Sequence, residues 1–120
     1  MISLYVHPTC TSCRKAVALL ADLGSEVERR NYFRDRFTVE ELRAVLVRAG
    51  RSPSDMLSTR SRAYRDLSLA DRQPTDDELL DLMVREPTLL RRPLAIGAGG
   101  SVVGFNAIEL TDLAATERPG

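Results

Sequence analysis

This chain of 120 residues has little histidine, little cysteine, few aromatics and no excess of charge of either sign. Each shortage excludes something. No apolar run approaches the ~20 residues needed to span a bilayer, so no membrane partner is expected. Basic and acidic residues balance at 17 each. A general nucleic-acid binder carries a clear basic excess, so no direct nucleic-acid contact is expected either. Two cysteines are too few for the disulfide framework of a small secreted domain. A closed structural zinc site takes four ligands. Cys10, Cys13 and His7 supply three, and the chain holds no further Cys or His. No metal and no organic cofactor are expected. The first residues lack a basic stretch followed by an apolar stretch and a small-residue cleavage site, so no secretory signal is evident and a cytoplasmic protein is expected.

What is present is a spacing. Cys10 and Cys13 stand three apart, just after the apolar stretch Ile2-Ser3-Leu4-Tyr5-Val6. Residues 2–6 read as a buried strand. Thr11 to Leu23 reads as a helix, with Ala16, Val17, Leu19, Leu20 and Leu23 on its apolar face and Gly24 just past its end. The cysteine pair therefore marks a strand-to-helix junction. A helix N-terminus carries roughly half a positive charge and favours a thiolate over a thiol. Cys10, at the cap, is the expected nucleophile. Cys13, one turn in and more buried, is placed to resolve a mixed disulfide.

The rest of the chain fits around that junction. Val27 to Tyr32 reads as a second strand, giving β-α-β and a parallel pair. Thr38-Val39-Glu40-Glu41 and Thr75-Asp76-Asp77-Glu78 both have the form of a capping box. Val39, Leu42, Val45 and Leu46 follow the first at helical spacing, and Leu79, Leu82 and Met83 follow the second. Gly50 to Pro53 breaks the first of these helices, a short helix is expected at Ser54 to Leu57, and Glu86-Pro87 ends the second. Leu94-Ala95-Ile96 reads as a strand, Ala98-Gly99-Gly100 as a turn and Val102-Val103 as its antiparallel partner. Asn106 caps a last helix to about Ala115, and Thr116 to Gly120 is expected to fray. β-α-β, then helices, then β-β-α is the order of an α/β thioredoxin-like fold with a mixed four-stranded sheet. It predicts a single domain over 1–120 with a helical insertion at about 38–90. In that fold a proline opening the third strand is cis, so a cis peptide is expected between Arg92 and Pro93.

The helix end alone does not make Cys10 strongly acidic. It supplies about 0.3–1 kcal/mol, whereas one pKa unit corresponds to about 1.4 kcal/mol. An arginine is needed as well. Arg14, Arg60 and Arg92 are the candidates. Arg14 follows the pair, Arg60 lies in the polar stretch Ser58-Thr59-Arg60-Ser61, and Arg92 precedes the proline that should approach Cys10. Guanidinium groups suit tetrahedral oxyanions through bidentate hydrogen bonds. Lys15 is the single lysine. Codon bias accounts for so arginine-rich a chain, and the plain reading of any one arginine is a solvated surface charge. Arg91 is expected to face solvent. His7, three residues before Cys10, either shapes the loop or supports the thiolate.

Four segments together are more specific than any of these features alone: Cys10-Thr11-Ser12-Cys13-Arg14-Lys15-Ala16, Ser58-Thr59-Arg60-Ser61, Leu89-Leu90-Arg91-Arg92-Pro93 and Val103-Gly104-Phe105-Asn106. On them the chain resembles the arsenate reductase/Spx family of thioredoxin-like proteins along nearly its whole length, with motifs nearest to Spx. The reductase branch implies that Cys10 attacks arsenic, that Arg60 and Arg92 act with it, and that Arg14, Arg60 and Arg92 bind the oxyanion. It also implies thioredoxin or glutathione/glutaredoxin as reductant. The Spx branch implies a redox-sensing regulator that binds the C-terminal domain of the RNA polymerase alpha subunit. The chain departs from the reductases in the spacing of His7, in having Cys13, and in carrying Gly104-Phe105-Asn106 where they have a further arginine. It departs from Spx in having Ser52 where that branch has glycine. An arsenate-reductase-type oxidoreductase is the leading expectation, and the regulator is the alternative.

Overall fold

The computed structural model describes residues 1–117, and these divide into two compact units. Residues 118–120, the end of the segment expected to fray, lie outside the described residues.

The first unit comprises Met1–Asp35 and the chain from Arg92 onward. It contains strand β1 (Ile2–Val6), helix α1 (Thr11–Asp22), strands β2 (Val27–Asn31), β3 (Leu94–Gly97) and β4 (Gly100–Val103), and a C-terminal helix over Ala107–Thr116. The sheet is mixed, in the order β2-β1-β3-β4, with β2 parallel to β1 and both other pairings antiparallel. Alternation along β1 gives Ile2, Leu4 and Val6 a common face. They join Ala16 and Leu20 of α1 and Leu110, Leu113 and Ala114 of the C-terminal helix in one buried cluster that also takes in Cys13. The ends of α1 follow local chemistry. Cys10 is the N-cap in extended conformation, and Gly24 takes a positive φ of 71° just past the C-cap Leu23. The Arg92–Pro93 peptide is cis. Gly100 opens β4 at φ 127°, a conformation open to glycine and strained for other residues.

The second unit, Arg36–Arg91, is helical. It contains α2 (Val39–Ala49), α3 (Arg62–Asp66), α4 (Leu69–Arg72), α5 (Asp76–Arg85) and one 3-10 turn at Pro87–Leu89, so the last helix of the chain is α6. Both expected capping boxes form. Thr38 accepts from Glu41 and Thr75 from Glu78, and each glutamate side chain accepts in return from the backbone N–H of its threonine. Leu42, Val45, Leu46 and Ala49 of α2 and Leu79, Leu80, Leu82 and Met83 of α5 are buried.

One local expectation needs correction, and two short helices were not anticipated. Ser54 to Leu57 is not a helix. Ser52 and Asp55 exchange backbone-to-side-chain hydrogen bonds that fix a turn, which ends at Leu57 in an isolated bridge to Leu90. Helices α3 and α4 had no counterpart in the sequence pattern. The first is capped by Ser61, whose hydroxyl accepts from Ala63 and pairs with Thr88 at 2.9 Å. The second lies between Ser68 and Gln73, both at positive φ.

Candidate active site

The loop between β1 and α1 turns on backbone hydrogen bonds. The N–H of Cys10 donates to the His7 carbonyl at 3.2 Å, and that of Arg14 to the Cys10 carbonyl at 3.0 Å. The Cys10 side chain makes no capping bond. Its sulfur lies half-buried at the positive end of a twelve-residue helix.

The two sulfurs are displaced in opposite directions. Burial works against the Cys10 thiolate. The Cys13 N–H and thiol, the Arg92 charge and the Ser12 N–H together outweigh it and hold Cys10 below the ordinary thiol value. Cys13 is 1% exposed. Burial pushes it up to about 12, against the pull of the His7 N–H that reaches its sulfur at 3.5 Å. Hydrogen bonding and charge from Cys10 push it further, and Arg92 pulls it back. Cys10 is therefore the sulfur that ionises first, and Cys13 keeps its proton and donates to it.

Arg92 is the cation in this pair's field. Its guanidinium carbon lies 5.3 Å from the centroid of the Phe33 ring, within cation–π range. It also donates to the hydroxyl of Tyr32, a buried group whose pKa burial drives above the ordinary tyrosine value. The buried Nε of Arg92 has no hydrogen-bond partner. An unmet buried donor is costly, and a bound anion would satisfy it. Phe33 is held in turn by the edge of the His7 ring, 4.4 Å between centroids. His7 Nδ1 accepts from the Thr9 N–H at 3.1 Å and meets the Thr9 hydroxyl at 2.9 Å. His7 therefore shapes the loop through both its main chain and its ring.

Arg14 borders a groove of about 550 Å³ between α1 and β2 that Cys13 and His7 also line, together with Val17, Arg29 and Asn31. Arg60 is exposed in the second unit, in the turn before α3. Arg91 is exposed, and its guanidinium donates to the Asp55 carbonyl at 3.1 Å. Sequence reasoning passed over Tyr32 and Phe33. An aromatic pair ending a strand reads as core, and only its distance from Arg92 gives it another role. The cysteine–histidine trio forms no metal-holding cluster among the described residues, and no helix among them is long and apolar enough to cross a membrane.

Residues 5–113 match the family model described as the ArsC family. The chain belongs to the ArsC family. Its ArsC-family relatives include the global transcriptional regulator Spx of Enterococcus faecalis, 40% identical over 111 residues that cover 92% of this chain and 83% of that protein. The regulatory protein MgsR of Bacillus subtilis is 36% identical over 112 residues, covering 93% and 89%. Among solved structures, the arsenate reductase from Vibrio cholerae superposes with a TM-score of 0.83 at 26% identity, covering 93% of this chain and 96% of that one. The fold is thioredoxin-like α/β, and ArsC-family similarity runs to regulators and to arsenate reductases alike.

Proposed function

We propose that this protein is a cytoplasmic thiol–disulfide redox protein with Cys10 as nucleophile and Cys13 as resolving thiol, working as an arsenate-reductase-type oxidoreductase. The observation that carries this is the opposite displacement of the two sulfurs, Cys10 below the ordinary thiol value and Cys13 raised to about 12, beside Arg92 with its unpartnered Nε.

The chemistry follows from those states. Arg92 holds an arsenate oxygen. The Cys10 thiolate attacks arsenic(V), and one arsenic-bound oxygen leaves as water after taking up protons. Once Cys10 is bonded to arsenic it carries no charge and accepts no hydrogen bond from Cys13. Two of the influences that hold the Cys13 proton are then gone. Cys13 gives up its proton and attacks the Cys10 sulfur. The S–S bond forms, the S–As bond breaks, and its electron pair stays on arsenic as arsenite. The two thiols have supplied the two electrons. Thioredoxin or glutathione/glutaredoxin restores the dithiol by exchange. The deciding assay is arsenate-dependent NADPH consumption coupled in turn to each reductant system. Turnover that Cys10→Ser abolishes supports the reading, and turnover that survives Cys10→Ser removes it.

The similarity at 40% identity to a transcriptional regulator supports a second reading. Here the same Cys10–Cys13 disulfide switches affinity for the C-terminal domain of the RNA polymerase alpha subunit. It requires no arsenate turnover, together with a complex whose stability differs between dithiol and disulfide forms.

A further inference from the structure

β2 is an outer strand of the sheet, pairing with β1 alone among the described strands. An outer strand leaves one backbone edge unpaired and open to another strand. Two clefts run along it. The first is the groove of about 550 Å³ against α1, which Arg29 and Asn31 enter from one face of the strand. The second, about 590 Å³, is lined by four consecutive residues of β2, Glu28 to Asn31, and by Arg34 and Asp35. Consecutive strand residues point to opposite faces. A cleft that takes in all four therefore follows the edge of the strand. The two clefts share Arg29 and Asn31 and so adjoin along the strand, forming one run of grooves, hereafter the channel.

The charge along that channel is one-sided. Four guanidiniums, of Arg14, Arg29, Arg30 and Arg34, face two carboxylates, of Glu28 and Asp35. Asp35 is taken up by Arg30, with Nε to Oδ2 at 3.2 Å. The side chains of Arg14, Arg29 and Arg34 make no hydrogen bond or ion pair with another described residue, and all three are exposed. Val6, Pro8 and Val17 give the inner part of the channel an apolar wall, and His7 and Cys13 line it beside them.

We propose that the edge of β2 is a docking site for an extended, acidic segment of a partner protein. The segment adds as a strand beside β2, its acidic side chains meet Arg29 and Arg34, and its apolar side chains enter the groove against α1. Main-chain hydrogen bonds give such a mode its affinity, and alternate side chains give it selectivity. Charge complementarity excludes basic partners. The proposal does not depend on the redox chemistry of Cys10.

The test uses the full chain and a fluorescein-labelled peptide of alternating glutamate and valine long enough to span β2. The expected result is saturable binding that weakens with added salt, with slowed amide exchange confined to Val27–Asn31. Arg29→Glu and Arg34→Glu should each weaken it at least about tenfold, because like charges set across an interface cost several kcal/mol. Circular dichroism and the urea midpoint report whether each variant folds. Arg34 lies outside the strand, so Arg34→Glu carries the test if Arg29→Glu does not fold. The proposal is overturned by absence of saturable binding, by equal binding of a lysine–valine peptide, by indifference to both substitutions or by exchange protection elsewhere. Tighter binding of single-stranded DNA than of the acidic peptide overturns it as well.

Discussion

The guanidinium of Arg92 lies over the ring of Phe33, 5.3 Å from its centroid, and the same cation lowers the pKa of Cys10. The ring holds the arginine and the arginine supports the thiolate. Arg92→Ala should raise the Cys10 pKa, so that less thiolate is present at neutral pH and alkylation slows. Phe33→Leu should act in the same direction but more weakly, since a cation–π contact contributes about 0.5–2 kcal/mol. Following thiolate ultraviolet absorbance against pH in both variants checks this. An unchanged Cys10 titration in Arg92→Ala would remove Arg92 from the site.

Stability should pass through a maximum near pH 9. Unfolded, both thiols titrate near 9.0. Cys10 is depressed in the folded state, so its contribution is present above 9.0 and is lost as pH falls through its folded value. Cys13 is raised to about 12. Its contribution is present below 9.0 and is lost as pH climbs toward 12, because the unfolded thiol ionises first. One proton bound in the folded state alone gives a slope of up to about 1.4 kcal/mol per pH unit. Tyr32, also raised, adds a fall that begins near its ordinary value of 10.0. Urea titrations across this range should show Cys13→Ala losing the fall that starts near 9.0 while keeping the one that starts near 10.0. A wild-type curve flat between 9 and 12 would contradict the burial of both groups.

What could be read in advance was local. The start of α1 at the cysteine pair, the boxes at Thr38 and Thr75 and the Leu94–Val103 hairpin each follow from a few neighbouring residues, whereas the cis bond before Pro93 follows from the order of elements as a whole. Helix α3 contains no buried residue, and α4 has only Leu69. No apolar stripe announces them. The Leu57–Leu90 bridge joins residues far apart in sequence, and local pattern carries no trace of such a pairing. The site divides in the same way. Cys10 and Cys13 are marked by their spacing from each other and from the strand. Tyr32 and Phe33 acquire meaning only through Arg92, some sixty positions away along the chain.

The two capping boxes provide a separate check on the second unit. Thr75 accepts from the Glu78 N–H at 3.2 Å, and Glu78 Oε1 accepts from the Thr75 N–H at 3.2 Å. Thr75→Ala should cost about 1 kcal/mol of stability, and Thr38→Ala a similar amount. Neither should alter the Cys10 titration, because neither threonine belongs to the unit that holds the cysteines. Denaturant midpoints with an unchanged m-value would show the loss. A shifted Cys10 titration in either variant would contradict this prediction.

The final prediction isolates the coupling between the two sulfurs. Cys10 raises Cys13 by two routes, a hydrogen bond and a negative charge, both secondary to burial. Removing the Cys10 sulfur leaves burial in place and abolishes both routes. In Cys10→Ala the Cys13 pKa should therefore fall below 12 while staying above the ordinary 9.0. Cys13 alkylation measured against pH in that variant reads the shift directly. A Cys13 profile that does not move would mean that burial alone holds its proton, and the release of Cys13 upon capping of Cys10 would then need another cause.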